Sequence, residues 1–143
     1  MDYGRSLEID LPFLQALPRV KEAFQEQGFG TLTEIDVQAT LNQKLGQEME
    51  AYVILGVCNP QLAHRALEIE REIGLLLPCN VVVREQAGRT LVHALDPDVM
   101  VRVPEREELR PIAEEASRRI DAALASLSQQ TSEPENPRMT DND

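Results

Sequence analysis

Apolar and polar residues alternate at the start of the chain. Tyr3, Leu7, Ile9 and Leu11 take odd positions, with Ser6, Glu8 and Asp10 between them. A period of two predicts a half-buried strand. Phe13, Leu17, Val20 and Phe24 then recur at helical spacing, which predicts one apolar helix face ending at Gly28. Pro18 requires the ordered helix to begin near it or to kink there.

Thr31 to Val37 reads as a short strand, and Asp36 can cap a small helix from Val37 to Leu45 that stops at Gly46. Met49 to Cys58 is a nearly continuous apolar strand, interrupted only by Glu50 and Gly56. Asn59-Pro60 is a helix start, because Asn accepts from the first free helical amides and Pro is preset for the first helical position. The helix it opens carries Leu62, Ala63, Ala66, Leu67, Glu70 and Ile73 on one face.

The most apolar stretch, Ile73 to Val83, reads as a helix exit at Gly74, a tight connection through Pro78, and a strand buried on both faces. Cys79 to Arg84 and Thr90 to Leu95 form a hairpin around Gln86-Ala87-Gly88-Arg89. Asp96-Pro97 repeats the start signal of Asn59-Pro60. Leu109, Ile112, Ala113, Ala116, Ile120, Ala123, Leu124 and Leu127 mark a long closing helix, with Pro111 placing its start close to residue 110. Beyond Ser128 the chain is almost devoid of apolar side chains.

These elements predict an α+β fold. A single domain spans residues 1–127, with a mixed, mainly antiparallel sheet covered by amphipathic helices over 13–27, 60–73 and 110–127. Residues 128–143 read as a disordered acidic tail.

Composition narrows the function. Fourteen Lys and Arg stand against 25 Asp and Glu, a net charge of -11, and no basic run interrupts the acidity. Nucleic acid and anionic membrane surfaces are disfavoured partners for such a chain. Aromatic residues are 3% with no Trp, so there is no stacking platform for bases and the core must be aliphatic. No signal peptide or bilayer-spanning run is present, which points to a cytoplasmic protein whose two cysteines are free thiols.

Ile54-Leu-Gly-Val-Cys-Asn-Pro60 followed by Gly74-Leu-Leu-Leu-Pro-Cys-Asn-Val-Val-Val83 resembles the bacterial and archaeal family called Domain of Unknown Function 302. The resemblance extends from about Leu7 to Leu127 and takes in Gly28-Phe29-Gly30, Glu34 to Val37 and Asp96-Pro97. It implies an α+β homodimer in a family without an established activity.

The candidate ligand-binding residues are Cys58, Asn59, Cys79 and Asn80. Cys58 precedes a helix start, where the positive end of the helix dipole lowers a thiol pKa. The alternative for either cysteine is a small buried hydrophobe. If the helix between them joins parallel strands, Cys58 and Cys79 lie at opposite sheet edges, and an intrachain disulfide is unavailable. His93 alternates with Leu91 and Leu95, and together with Cys58 and Cys79 would make a soft metal site. His64, beside Glu68 and Arg71, reads as a solvated helix face.

The sequence holds no dinucleotide fingerprint, phosphate-cradling loop, nucleophile elbow or His-Glu-x-x-His zinc motif, and it assigns neither a catalytic residue nor a cofactor. Two functions follow. One is a small homodimeric module that binds a small molecule, a metal or a protein partner near the two Cys-Asn motifs. The other is a thiol-dependent enzyme or sulfur carrier with Cys79 or Cys58 as nucleophile.

Overall fold

The alternating N-terminal stretch forms strand β1 (Gly4–Ile9) and the following apolar face forms helix α1 (Phe13–Glu26) in the computed structural model, which describes residues 2–131. Pro18 lies inside α1. It sits on the exposed side, so the amide it lacks is missing where water can replace it. Next come β2 (Gly30–Asp36), α2 (Val37–Leu45), β3 (Tyr52–Cys58) and α3 (Pro60–Ile69). A 3-10 turn (Arg71–Leu76), β4 (Cys79–Gln86), β5 (Arg89–Leu95), α4 (Val99–Arg102), a second 3-10 turn (Glu107–Leu109) and α5 (Arg110–Thr131) complete the order.

Two helix ends differ from expectation. The helix after Asn59 stops at Ile69 rather than Gly74, because Glu70 turns extended and its carboxylate accepts from the Glu72 amide, nucleating the separate 3-10 turn. The closing helix runs past Leu127 to Thr131. The rest of the expected tail lies outside the described residues.

The five strands make one sheet in the order β1-β5-β4-β3-β2. Every pairing is antiparallel. One face carries Val53, Leu55 and Val57 of β3, Val81 and Val83 of β4, and Val92 and Ala94 of β5, all buried. Helices α1 and α5 pack against that face, and α3 packs beside α5. The stripe read for the closing helix is the buried one, from Leu109 just ahead of α5 through Ile112, Ala116 and Ile120 to Leu127.

β4 is buried on this face only. Asn80 is exposed and Val82 half-buried on the other, so the expectation of a strand covered on both sides is corrected. The apolar run Val81 to Val83 is continuous because Val82, on the second face, is half-buried there beside its cross-strand partner Ile54 of β3. Among the described residues no helix is long and apolar enough to cross a membrane.

Candidate functional site

β3 and β4 are adjacent and antiparallel, and their register sets Val57 opposite Cys79. Cys58, the last residue of β3, and Cys79, the first of β4, therefore lie at the same end of the sheet. This overturns the parallel arrangement that would separate them. The chain between them is a helix and a 3-10 turn that return it to the strand end it left.

The Cys-Asn-Pro segment folds as its chemistry dictates. Asn59 has an extended backbone and accepts from the Leu62 amide through Oδ1 at 3.0 Å, while Pro60 takes the first helical position. Asn59 is buried, so this bond satisfies a polar group that would otherwise be costly. The second motif follows a cis Leu77–Pro78 bond.

Cys58, Asn59 and Cys79 border one small cavity with a free volume of about 20 Å3. Phe29, Leu62 and Met100 are among the apolar side chains that close it. Asn80 belongs to the opposite, exposed sheet face and is not part of it.

Burial pushes both thiols up from their ordinary value. Cys79 rises to about 11, chiefly through burial and then through the nearby Cys58. The half-buried Cys58 is raised by burial alone. The dipole effect expected at Cys58 is outweighed, since the surroundings are apolar and Asn59 itself occupies the Leu62 amide.

His93 is not with the cysteines. It pairs with Val82, whereas Cys79 shares its sheet face with Val81 and Val83, so the imidazole lies on the opposite side of the sheet. There Arg84 Nε donates to His93 Nε2 at 3.0 Å, and Ser6 Oγ lies 2.7 Å from Nδ1. An arginine only donates, so Nε2 accepts and Nδ1 carries the proton toward Ser6. Burial, then the Arg84 charge, lowers the His93 pKa. Among the described residues, no three His, Cys, Asp or Glu side chains cluster to hold a metal ion, and the Cys58, Cys79 and His93 set is thereby corrected. His64 is exposed beside Glu68, as read from the sequence.

Two glycines allow close approach around the site. Gly28 has φ +88°, and a Cβ there would lie 2.8 Å from Asn59 Nδ2 and 2.9 Å from Arg119 Nη1. Arg119 Nη1 also donates to the Gln27 carbonyl, tying α5 to the end of α1. A Cβ on Gly56 would overlap the Thr33 hydroxyl and lie 2.9 Å from Pro78 Cγ.

Residues 5–127 match the family model described as domain of unknown function DUF302. The chain belongs to the DUF302 family. It is similar to the crystal structure of an uncharacterized conserved DUF302 protein from Bacillus stearothermophilus, at 29% identity and a TM-score of 0.81. The likeness covers 87% of this chain and 98% of that one. No curated protein matches the sequence.

Met100 and Phe29 are the site residues of this DUF302 chain that sequence reading missed. Nothing in the spacing of Met100 marks it, because only the packing of α4 beside α5 carries it to the cavity. Phe29 had a local signal in Gly28-Phe29-Gly30, where flexible residues flank a single large apolar one.

Proposed function

We infer that this DUF302 protein is a cytoplasmic, homodimeric module that binds a small guest in the cavity bordered by Cys58, Asn59 and Cys79. The observation that carries the reading is that two cysteines, distant in sequence, border one small apolar cavity. Binding is favoured over thiol catalysis because a nucleophilic cysteine must ionise near neutral pH, and burial raises both thiols here. The Ser6–His93 contact offers no alternative nucleophile, since the imidazole donates to the hydroxyl rather than accepting its proton.

Assembly as a dimer is supported by the second sheet face. Ile35, Ile54 and Val82 are successive cross-strand partners there, and Ile35 remains 48% exposed. Helix α2 supports it too, because it buries none of its nine residues within the chain. A helix that short gains little stability from its backbone alone.

Native mass spectrometry of protein purified under reducing conditions tests both parts. The expected spectrum is a dimer carrying additional mass that disappears from the Cys58→Ser/Cys79→Ser variant. A monomer would overturn the assembly, and wild-type protein without added mass would overturn the binding site.

A further inference from the structure

A groove of about 310 Å3 lies between the 3-10 turn that follows α3 and the end of α4, and it shares no lining residue with the cavity at the cysteines. A volume of that order suits a small organic molecule, which the cavity of about 20 Å3 cannot hold. Ile73 is the buried residue of its lining, and Leu76 and Pro104 are half-buried. Leu75 and Val103 also line it, and they are 87% and 64% exposed. Leu75 is the most exposed large apolar side chain among the described residues. Apolar side chains left open side by side at a concave surface mark a place where something docks.

The groove is held in shape by polar contacts behind it. Arg106 Nη1 donates to Glu70 Oε1 at 2.6 Å and Nη2 donates to the Ile69 carbonyl at 2.9 Å, which fastens the chain beyond α4 to the end of α3. The Arg106 amide donates to the Val101 carbonyl at 3.1 Å and closes the loop that carries Val103 and Pro104. Within that loop Glu105 has φ 56°, a left-handed backbone that costs energy for a residue with a Cβ. Strain of this kind persists only where the surroundings enforce it, and it recurs at ligand clamps. A groove shaped in advance loses little freedom when a ligand enters.

The lining carries two carboxylates and no cation. Glu70 is already satisfied, since Oε1 accepts from Arg106 and Oε2 accepts from the Glu72 amide at 3.2 Å. The exposed Glu72 carboxylate has no ion pair among the described residues. Arg71, its neighbour in sequence, does not line the groove. An apolar surface with one unpaired negative charge complements a cation that has an apolar body. We propose that the groove binds a small amphiphilic cation, a primary amine on a hydrocarbon, with its ammonium on Glu72 and its hydrocarbon against Ile73, Leu75, Leu76 and Val103. An anion would meet the carboxylate, and a wholly polar ligand would leave Leu75 and Val103 uncovered. The net charge of -11 draws any cation toward the chain but selects no site on it, so specificity rests on the groove.

The test is titration of the full-length protein with hexylamine, followed by methyl NMR, with hexanol and hexanoate as chain-matched controls. Hexylamine should give saturable shifts at the Leu75, Leu76 and Val103 methyls. Hexanol should bind there about two- to fivefold more weakly, as expected for loss of one exposed charge pair, and hexanoate should give no saturable shift. Glu72→Gln should bring hexylamine down to the affinity of hexanol, whereas Leu75→Ser should weaken amine and alcohol alike. Glu114→Gln removes an exposed carboxylate of α5 that does not line the groove, and should leave hexylamine binding unchanged. All three substitutions are at exposed positions, so each variant should fold, which circular dichroism checks. No saturable shift at Leu75 and Val103, equal affinity for hexylamine and hexanol, or equal effects of Glu114→Gln and Glu72→Gln would each overturn the proposal.

Discussion

Val57 and Cys79 face each other directly across the β3–β4 ladder, and that pairing sets Cys58 and Cys79 together at one end of the sheet. Cys79 is buried in this position and its thiol is held up to about 11. An unfolded chain releases the same proton from an ordinary value of 9.0. Below pH 9 both states keep the proton and the thiol contributes no pH dependence. As pH rises from about 9 toward 11, only the unfolded chain ionises, and stability falls. The expected loss attributable to this group approaches roughly 2–3 kcal/mol by the upper end. Urea unfolding across that range should show a steeper decline for wild type than for Cys79→Ser. Parallel curves would contradict the burial argument.

Asn59 combines a helix cap with a position at the cavity, and two substitutions separate these roles. Asn59→Ala removes the acceptor of the Leu62 amide in a buried site, and should cost about 1–2 kcal/mol in thermal or urea unfolding. Asn59→Asp keeps an acceptor oxygen and should recover much of that loss. If the two variants are equally unstable, capping is not what Asn59 contributes.

Most of the fold was legible because its signals are local. The odd-position alternation of β1, the stripe of α5 and the caps at Asp36 and Asn59 each depend on a few neighbouring residues, and each appears where the pattern places it. The break at Glu70 is hidden in the sequence because an apolar stripe continues beyond it to Ile73, while the break itself depends on a carboxylate closing on a nearby amide. The site was half legible. Cys58, Asn59 and Cys79 were marked by composition, but strand direction decides whether the cysteines meet, and neither periodicity nor spacing carries strand direction. The same register removes His93 from Cys79, since residues of opposite parity in paired strands lie on opposite faces.

Gly56 is the point where β2 and the Pro78 turn close over β3. A methyl group there meets the Thr33 hydroxyl and the rigid Pro78 ring, and only the hydroxyl can rotate away. Gly56→Ala should therefore destabilise the protein by roughly 1–3 kcal/mol. Combining it with Thr33→Ala should restore only part of the loss, because the 2.9 Å approach to Pro78 Cγ persists. Full restoration in the double variant would show that Pro78 yields freely. Melting temperatures of the three variants decide the matter.

The β4–β5 hairpin turns on Ala87 and Gly88, with φ of 54° and 80°. Positive φ at both central residues is the two-residue turn that matches strand twist, and it favours Asn-Gly over Ala-Gly. A Cβ-bearing residue without a local polar partner is strained in this region, whereas Asn tolerates it. Ala87→Asn should raise the melting temperature by about 2–5 °C, and the β-branched Ala87→Val should lower it. Ala87 is exposed and follows the end of β4 opposite Cys79, so neither substitution should alter what the cavity binds.

Ile35, Ile54, Val82 and His93 form one cross-strand row on the second sheet face, passing from exposed apolar residues on β2 to the Ser6–His93–Arg84 contacts on β5. An apolar row of this kind is the surface on which two sheets stack face to face. Self-association through it also suits the charge, because the row itself bears no carboxylate while the chain as a whole is strongly acidic. Placing a carboxylate at Ile35 would set like charges near each other across a twofold axis and bury them without partners. Ile35 is half-exposed in the single chain, so Ile35→Glu should leave the fold intact, with an unchanged circular dichroism spectrum. Sedimentation equilibrium should then give a dimer for wild type and a monomer for Ile35→Glu. A dimer that survives the substitution would move the interface elsewhere, with α2 and its exposed Leu45 the next surface to alter.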